Sequence, residues 1–172
     1  MIRRISDAGV AEIKKMESVE PYVYTDQAGY QTIGVGHKIV RQEFDTGVIV
    51  IDGESVWWMN GLNPGQIDGL LRQDLAGAED TVSQFVKVPL TDNEYAALVS
   101  LCFNIGSTSF RDSSVVRVLN NNDYDSVPSK MRMWDKITIQ EVQPDGTRIK
   151  KKVVSKGLVK RRQAEIQLWL RP

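Results

Sequence analysis

Two acidic residues and a threonine in the segment ESVEPYVYTDQAGYQTIGVGH, residues 17–37, are of the types that hydrolytic chemistry uses, and their spacing is suggestive of such a site. Glu17 opens the segment, Asp26 follows in a turn-rich stretch, and Thr32 comes after that turn. Cleaving a glycosidic bond needs one carboxylic acid to protonate the leaving oxygen and a second carboxylate on the opposite face of the sugar. The segment therefore contains both carboxyl groups, and a hydroxyl close to them in sequence.

The elements around these residues are predicted to place the two acids apart. Ser6 is the predicted N-cap of a first helix, which should end near residues 18–20 because Pro21 disfavours helix in the residue before it. Two strands, YVYT and YQTIGVG, are predicted to follow, joined by the turn DQAG. Glu17 is then at a helix end, Asp26 at a turn and Thr32 on the returning strand, so the acids face each other across a groove.

The glycines and the histidine at the end of the segment receive separate predictions. Gly34 and Gly36 are predicted to remove side chains from the strand face that carries Thr32, so that a polymer can approach the backbone. His37 is the only histidine of the chain. A metal site built on a histidine cluster is therefore not expected, and no metal or other cofactor is predicted. A structural or substrate-rim role is preferred for His37.

After this segment, the sequence predicts a second hairpin, then several helices, a third hairpin and a C-terminal helix. Asp52-Gly53 predicts a hairpin turn within residues 48–58. Asn63-Pro64 starts a long helix over about 64–86. Thr91 and Glu94 form a predicted capping box for an apolar helix that Gly106 ends. Further helices are expected after residues 113 and 125 and at the C-terminus, and a hairpin is expected over 137–154. The fold class is α+β, with two lobes and a cleft between them.

Composition limits the possible functions. The 172 residues carry no net charge, yet residues 129–172 have a net charge of +8 and residues 1–128 a net charge of −8. The basic part indicates either a polyanionic partner or a solvated face. It has no aromatic platform, so nucleic acid is not expected. Cys102 is the only cysteine, which excludes an intrachain disulfide. Neither a GxxxxGK[ST] loop nor a signal-like or membrane-spanning apolar run is present.

A family resemblance extends these observations. The pattern Glu17-x8-Asp26-x5-Thr32 followed by IGVGH resembles the phage-type lysozymes of glycoside hydrolase family 24. Four later segments are similar to that family's helices and occur in the same order: NPGQIDGLLRQDL, VPLTDNEYAALVSLCFNIG, FRDSSVVRVLN and GLVKRRQAEIQLWL. The resemblance covers nearly the whole chain. It implies one lysozyme-like domain over 1–172, with an N-terminal lobe over about 1–62, a connecting helix over 63–87 and a helical lobe over 88–172 that carries the hairpin 137–154.

The resemblance also implies an activity. It makes the protein an endolysin that cuts the β-1,4 bond between N-acetylmuramic acid and N-acetylglucosamine in peptidoglycan. Glu17 is implied to be the general acid, with Asp26 and Thr32 holding the attacking water and an inverting outcome. The alternative is a lytic transglycosylase, against which Asp26 and Thr32 argue because that reaction needs no water. A binding module with the fold but no activity is disfavoured by the intact set of three residues.

Four residues are predicted to bind substrate: Gly34, His37, Asn104 and Arg162. For Asn104, a helix-terminal hydrogen bond competes equally with a sugar contact. Arg161 and Arg162 either reach the cleft and orient the acid or belong to a solvated basic face. Trp57 and Trp58 are predicted to pack in the core rather than to stack on sugars, because large aromatic side chains dominate burial.

The resemblance further implies partners and location. We expect a monomer that stays in the host cytoplasm until lysis, is released by a holin-type membrane protein, and then acts on peptidoglycan in the periplasm. The hairpin 137–154 is longer than the corresponding link in many members of the family and is rich in Lys and Arg. It is predicted to extend the cleft or to bind an anionic component of the cell envelope.

Overall fold

The computed structural model describes residues 3–26 and 29–172. Eight α-helices and three small antiparallel sheets lie within these ranges, which confirms the α+β class. The chain divides into two compact units, the first ending at Asp80 and the second covering Thr81–Pro172. No helix within the described ranges is long and apolar enough to cross a lipid bilayer.

Unit 1 begins with a capped helix and a three-stranded sheet. Helix α1, Asp7–Met16, starts where the Ser6 hydroxyl accepts a hydrogen bond from the Gly9 amide, as predicted. Strands β1 (Glu20–Thr25), β2 (Gln31–Gly34) and β3 (His37–Lys38) follow, and β2 is the middle strand. Helix α1 ends slightly earlier than predicted because the chain becomes extended at its C-cap residue, Glu17. Gln27 and Ala28, the middle of the predicted turn DQAG, lie outside the described residues.

The predicted strand YQTIGVG is shorter in the structure. Strand β2 ends at Gly34, and Val35 and Gly36 form a tight turn into β3. Gly34 and Gly36 have φ values of +67° and +79°, a region that L side chains rarely adopt. The prediction of one continuous strand is therefore wrong, because these glycines redirect the backbone and create a third strand.

The remainder of unit 1 contains a helix that the sequence did not indicate and a hairpin that it did. Helix α2 covers Arg41–Thr46, and strands β4 (Val48–Ile51) and β5 (Glu54–Trp57) pair around Asp52-Gly53. Both turn residues have positive φ, which confirms the predicted turn. A 3-10 helix, Trp58–Asn60, leads to α3, Pro64–Phe85, one residue shorter than predicted.

The two neighbouring tryptophans have different environments. Trp58 is buried and its indole N–H donates to the Glu43 carbonyl over 2.9 Å. Trp57 is 57% exposed. The predicted core role is therefore confirmed for Trp58 and wrong for Trp57, whose position in β5 directs its side chain to the solvated face of a two-stranded sheet.

Unit 2 is mainly helical. Thr91 and Glu94 form the predicted capping box, and the apolar helix that follows ends at Gly106 with φ +86°. Its side chains from Tyr95 to Cys102 are buried, as expected for a central core helix. The elements of the unit are α4 (Asp92–Ile105), α5 (Ser107–Arg111), α6 (Ser114–Asn120), α7 (Val127–Arg132), β6 (Lys136–Val142), β7 (Arg148–Val154) and α8 (Lys156–Trp169).

Candidate active site

Glu17 is positioned by the end of α1. Its amide donates to the Lys14 carbonyl over 3.3 Å, and its backbone is extended, with φ −114° and ψ 157°. The residue is partly buried. This cap fixes the backbone of Glu17 at the junction between α1 and β1.

Asp26 closes the turn between β1 and β2. Its amide donates to the Tyr30 carbonyl and its Oδ1 accepts from the Tyr30 amide, each over 2.8 Å. Its carbonyl accepts from Gly29, whose φ of +87° suits the turn. Hydrogen bonding by both the backbone and one carboxylate oxygen orients the Asp26 side chain.

Thr32 lies on the middle strand and is only 2% exposed. Its hydroxyl donates to the Tyr30 carbonyl over 3.2 Å. A hydroxyl has one hydrogen and two acceptor lone pairs. Because the hydrogen is used, Thr32 Oγ1 is oriented to accept a hydrogen bond from another group.

Tyr24, which the sequence analysis did not identify, pairs with Thr32 and is influenced by the charges of Glu17 and Asp26. It pairs directly with Thr32 across β1 and β2, and directly opposed residues project from the same face of a sheet. Burial raises the pKa of the Tyr24 phenol, and the charges of Glu20, Asp26 and Glu17 raise it further. The carboxyl groups of Glu17 and Asp26 thus act on the same phenol. The available signal was the period of two that places Tyr24 and Asp26 on one face.

Gly34 ends β2 and is buried. A Cβ atom there would lie 3.7 Å from Leu70 and 3.9 Å from Leu62, which is ordinary contact. Its positive φ, rather than lack of space, is thus the structural reason for glycine. The substrate-binding role of Gly34 stays a prediction.

His37 is held between two carboxylates of unit 1. Its Nδ1 lies 3.0 Å from both carboxylate oxygens of Asp74 on α3, and its Nε2 lies 3.1 Å from Glu43 on α2. Burial lowers the pKa of His37, but the hydrogen bonds and charges of Asp74 and Glu43 outweigh it and raise the pKa overall. This arrangement fits the structural role considered from the sequence, while substrate binding by His37 stays a prediction.

In unit 2, Asn104 and Arg162 bind each other. Arg162 Nη2 donates to Asn104 Oδ1 over 2.9 Å, a contact that neither prediction for Asn104 included. Arg162 is 1% exposed and its Nε lies 2.8 Å from Glu165. Arg161 is also buried and bonded to Glu165. The alternative of a solvated basic face is therefore wrong for both arginines, because Glu165 holds them inside the unit. Substrate binding by Asn104 and Arg162 stays a prediction.

Glu165 is the centre of this buried cluster. It is 0% exposed and accepts hydrogen bonds from Arg161, Arg162 and the Ser100 hydroxyl. Burial raises its pKa, and the charges of Arg162 and Arg161 and the Ser100 hydrogen bond oppose the rise. Sequence reasoning singled out the two arginines but not their shared acid. The signal was the spacing of three and four residues along one helix.

The remaining predictions about reactive groups concern Cys102 and metal binding. Burial raises the pKa of the Cys102 thiol to about 11, so it is protonated at neutral pH and fits the predicted core role. Among residues 3–26 and 29–172, no group of three or more His, Cys, Asp or Glu side chains is arranged to hold a metal ion.

Comparison with known proteins decides the family. The model of the phage lysozyme family matches residues 14–165. The chain belongs to the phage lysozyme family. The endolysin of Salmonella phage P22 is 38% identical over 133 residues, covering 77% of this chain and 84% of the relative. The solved endolysin from Escherichia coli O157:H7 phage FAHEc1 is 32% identical, with a TM-score of 0.76 and coverage of 98% of this chain and 94% of that one.

A third relative comes from a bacterium. The muramidase domain of SpmX from Asticaccaulis excentricus is 31% identical, with a TM-score of 0.74, and the alignment covers 99% of this chain and 100% of that one. The lysozyme-like fold is thereby confirmed. Membership of the phage lysozyme family makes this chain a peptidoglycan-degrading enzyme of host cell lysis.

Proposed function

We propose that this phage lysozyme is an N-acetylmuramidase that hydrolyses the β-1,4 bond between N-acetylmuramic acid and N-acetylglucosamine. Glu17 is the general acid, and Asp26 and Thr32 hold the attacking water. The observation that supports this proposal is the arrangement around Tyr24. The charges of Glu20, Asp26 and Glu17 all raise the pKa of its phenol, and Thr32 lies opposite it on the middle strand.

The hydrogen bonds that Thr32 and Asp26 make support a role for Thr32 in positioning water. The Thr32 hydroxyl donates to the Tyr30 carbonyl, so toward a water it is an acceptor. One carboxylate oxygen of Asp26 accepts from the Tyr30 amide. A water that donates one hydrogen to Asp26 and the other to Thr32 keeps a lone pair free to attack the anomeric carbon. Asp26 then takes the proton as the bond forms, while Glu17 protonates the leaving oxygen.

This assignment implies inversion of configuration. A water between the sugar and the second carboxylate requires the two carboxyl groups to be roughly 6.5–9.5 Å apart, whereas a covalent intermediate requires about 5–5.5 Å. The SpmX domain, which is similar over nearly the whole chain, is named a muramidase domain, and that name supports the choice of bond.

The test compares turbidity loss of purified, outer-membrane-stripped cell walls for the wild type, Glu17→Gln and Asp26→Asn. Removing an acid or base contribution is expected to slow lysis by about 10²–10⁴-fold. Glu54→Gln is the matched control, since Glu54 is an exposed acid of unit 1 with no assigned role. It should retain activity within about threefold. Lysis by Glu17→Gln at the wild-type rate would contradict the assignment of Glu17 as the general acid.

Product analysis distinguishes the reaction classes. Hydrolysis leaves a reducing N-acetylmuramic acid end whose anomeric configuration, recorded by NMR at early times, is inverted. An anhydromuramoyl end would instead establish the lytic transglycosylase alternative.

We also propose a monomer that depends on a holin-type membrane partner to leave the host cytoplasm and reach the periplasm. Family membership supports this proposal. Sedimentation of the purified chain tests the monomer. Lysis timing in cells that express the chain with and without a pore-forming membrane protein tests the partner.

A further inference from the structure

The third hairpin of the chain is a two-stranded ribbon with chemically different faces. Strands β6 and β7 pair from Lys136 opposite Val154 to Val142 opposite Arg148. Directly opposed residues share a face, and successive residues alternate between faces. The pairing register therefore determines which side chains lie together.

One face, here called the aliphatic face, carries four branched aliphatic side chains: Ile137, Ile139, Ile149 and Val153. The three isoleucines are 36–45% exposed. The only charges on this face are Glu141 and Lys151, whose charged atoms lie 3.6 Å apart and neutralise each other. A large contiguous patch of exposed apolar side chains marks a protein or membrane interaction site on many proteins.

The opposite face, here called the cationic face, carries four positive side chains: Lys136, Arg148, Lys150 and Lys152. No acidic residue shares it within the two strands. The hairpin over residues 136–154 has five Lys or Arg and two Asp or Glu, a net charge of +3. Within this hairpin the positive charges are therefore not compensated on their own face.

A groove of about 470 Å³ borders the base of the cationic face. It is lined by Lys136, Thr138 and Lys152 of the hairpin and by Ser114, Met133 and Trp134 of unit 2. Two ammonium groups and two hydroxyl groups are suitable donors for a phosphate. Trp134 and the 65% exposed Met133 add apolar surface beside them. This combination suits a lipid headgroup with its adjoining hydrocarbon.

These observations point to a lipid surface rather than a sugar polymer. The aliphatic face has no aromatic ring on which a sugar could stack. The cationic face also carries the exposed Val142 and Val154, at the two ends of the ribbon. Apolar side chains that dominate one face, with cations concentrated on the other, are the pattern of elements that lie in the boundary between headgroups and acyl chains. A sheet about 10 Å thick is comparable with one headgroup layer. Its lysine stems are long enough to reach phosphates around the ribbon edges.

We propose that the β6–β7 hairpin docks this protein on membrane surfaces that contain anionic phospholipid. The aliphatic face enters the boundary between headgroups and acyl chains, and the lysines and Arg148 of the cationic face bind lipid phosphates. This interaction is separate from the chemistry assigned to Glu17, Asp26 and Thr32.

Vesicle flotation of the full chain tests the proposal. The probes are vesicles of phosphatidylcholine alone and vesicles in which one third of the lipid is phosphatidylglycerol. The chain is expected to float with the anionic vesicles, and its binding should weaken as salt screens the charges. Little binding to the neutral vesicles is expected.

Paired substitutions test each face. Lys150→Gln with Lys152→Gln should weaken binding to anionic vesicles about 25-fold, because each basic residue near the surface contributes about fivefold. Ile139→Thr with Ile149→Thr keeps β-branched side chains in the strands but removes apolar area, and should weaken binding at least tenfold. The control is Lys156→Gln with Lys160→Gln, the same charge change at exposed positions of α8. It should change binding less than threefold.

The readouts separate this inference from the enzymatic proposal. All three double variants should degrade purified peptidoglycan at the wild-type rate. A failure of the vesicle-binding proposal can therefore be distinguished from a failure of the enzymatic proposal. Equal vesicle binding by the wild type and both hairpin variants would overturn the proposal. So would reduced binding to purified peptidoglycan with unchanged vesicle binding, which assigns the hairpin to the wall. Concentration-dependent dimerisation through the aliphatic face without vesicle binding would assign that face to a second copy.

Discussion

Thr32 and Tyr24 lie directly opposite each other in the antiparallel pair of β1 and β2, with Thr32 buried on the middle strand. Tyr24 is in turn the residue whose phenol is influenced by both Glu17 and Asp26. Tyr24 therefore pairs with the proposed water-binding hydroxyl, and the charges of the proposed acid and base, together with that of Glu20, raise the pKa of its phenol.

Replacing Thr32 with valine is expected to reduce wall lysis by about 10²-fold or more while leaving the fold intact. Valine keeps the branched shape in the buried site but cannot accept a hydrogen bond from water. The Tyr30 carbonyl still accepts from the Asp26 amide, so stability should fall by no more than about 1 kcal/mol. Turbidity assays and urea denaturation measure the two effects. Thr32→Ser is the matched control, since it retains the hydroxyl; equal activity of the two variants would contradict the proposed role.

Gly34→Ala is expected to destabilise the protein by about 1–2 kcal/mol, the cost of an L residue in the left-handed region. Space is not the reason, because the new Cβ would make only ordinary contacts with Leu70 and Leu62. Gly77→Ala is the control, since Gly77 is within α3, has no positive φ and would place its Cβ in open space. That change should stabilise the protein by about 0.5–1 kcal/mol. Denaturation midpoints that move in the same direction for both variants would refute this account.

His37 is expected to titrate above its ordinary pKa because Asp74 and Glu43 stabilise the imidazolium. As the only histidine of the chain, it gives one imidazole signal that NMR can follow with pH. Asp74→Asn should lower that pKa, since it removes the carboxylate whose two oxygens lie 3.0 Å from Nδ1. An unchanged titration curve in Asp74→Asn would show that this carboxylate does not stabilise the imidazolium.

The same contact predicts a dependence of stability on pH. A folded-state pKa above the unfolded value means that the folded state holds the proton more tightly. The stabilisation is then complete below the unfolded pKa, about 6.5, and is lost as the pH rises through the folded value. His37→Gln should therefore lower the free energy of unfolding more at about pH 5.5 than at about pH 9. Denaturation of both proteins at the two pH values measures the difference, and an equal loss at both would contradict the linkage.

Glu165→Gln is expected to destabilise the protein by about 3–5 kcal/mol, because it removes the buried carboxylate that both Arg161 and Arg162 bind. Asp45→Asn is the control. Asp45 forms an exposed pair with Arg41, which should contribute less than about 1 kcal/mol. Urea denaturation compares the two variants, and a similar small loss for both would show that the buried cluster does not hold α8 in place.

Local signals were sufficient to predict much of the fold. The Thr91–Glu94 capping box and the Asp52-Gly53 turn are confirmed because each depends on residues within four positions of one another. Helix α2 was not predicted. It is six residues long with no buried residue, and its N-cap amide is satisfied by the Glu43 carboxylate instead of by a common capping side chain.

In the candidate site, too, some residues were predicted from the sequence and others were not. The spacing of Glu17, Asp26 and Thr32, together with the family resemblance, identified the proposed catalytic set from the sequence. Tyr24 was missed because its environment depends on strand register and on acids outside its own strand position. Arg161 and Arg162 were considered as cleft or surface residues because helical spacing alone does not show which side of α8 is buried.

The sequence by itself determined the family, the α+β class, the hairpin turns and most helix ends, since these depend on motifs and on contacts between near neighbours in the chain. Only the tertiary structure decided that His37 lies between Glu43 and Asp74 and that Glu165 buries two arginines. It also decided that the basic hairpin has one aliphatic and one cationic face. The physical reason is that burial and ion pairing depend on residues brought together by packing and strand register, which short-range patterns do not encode.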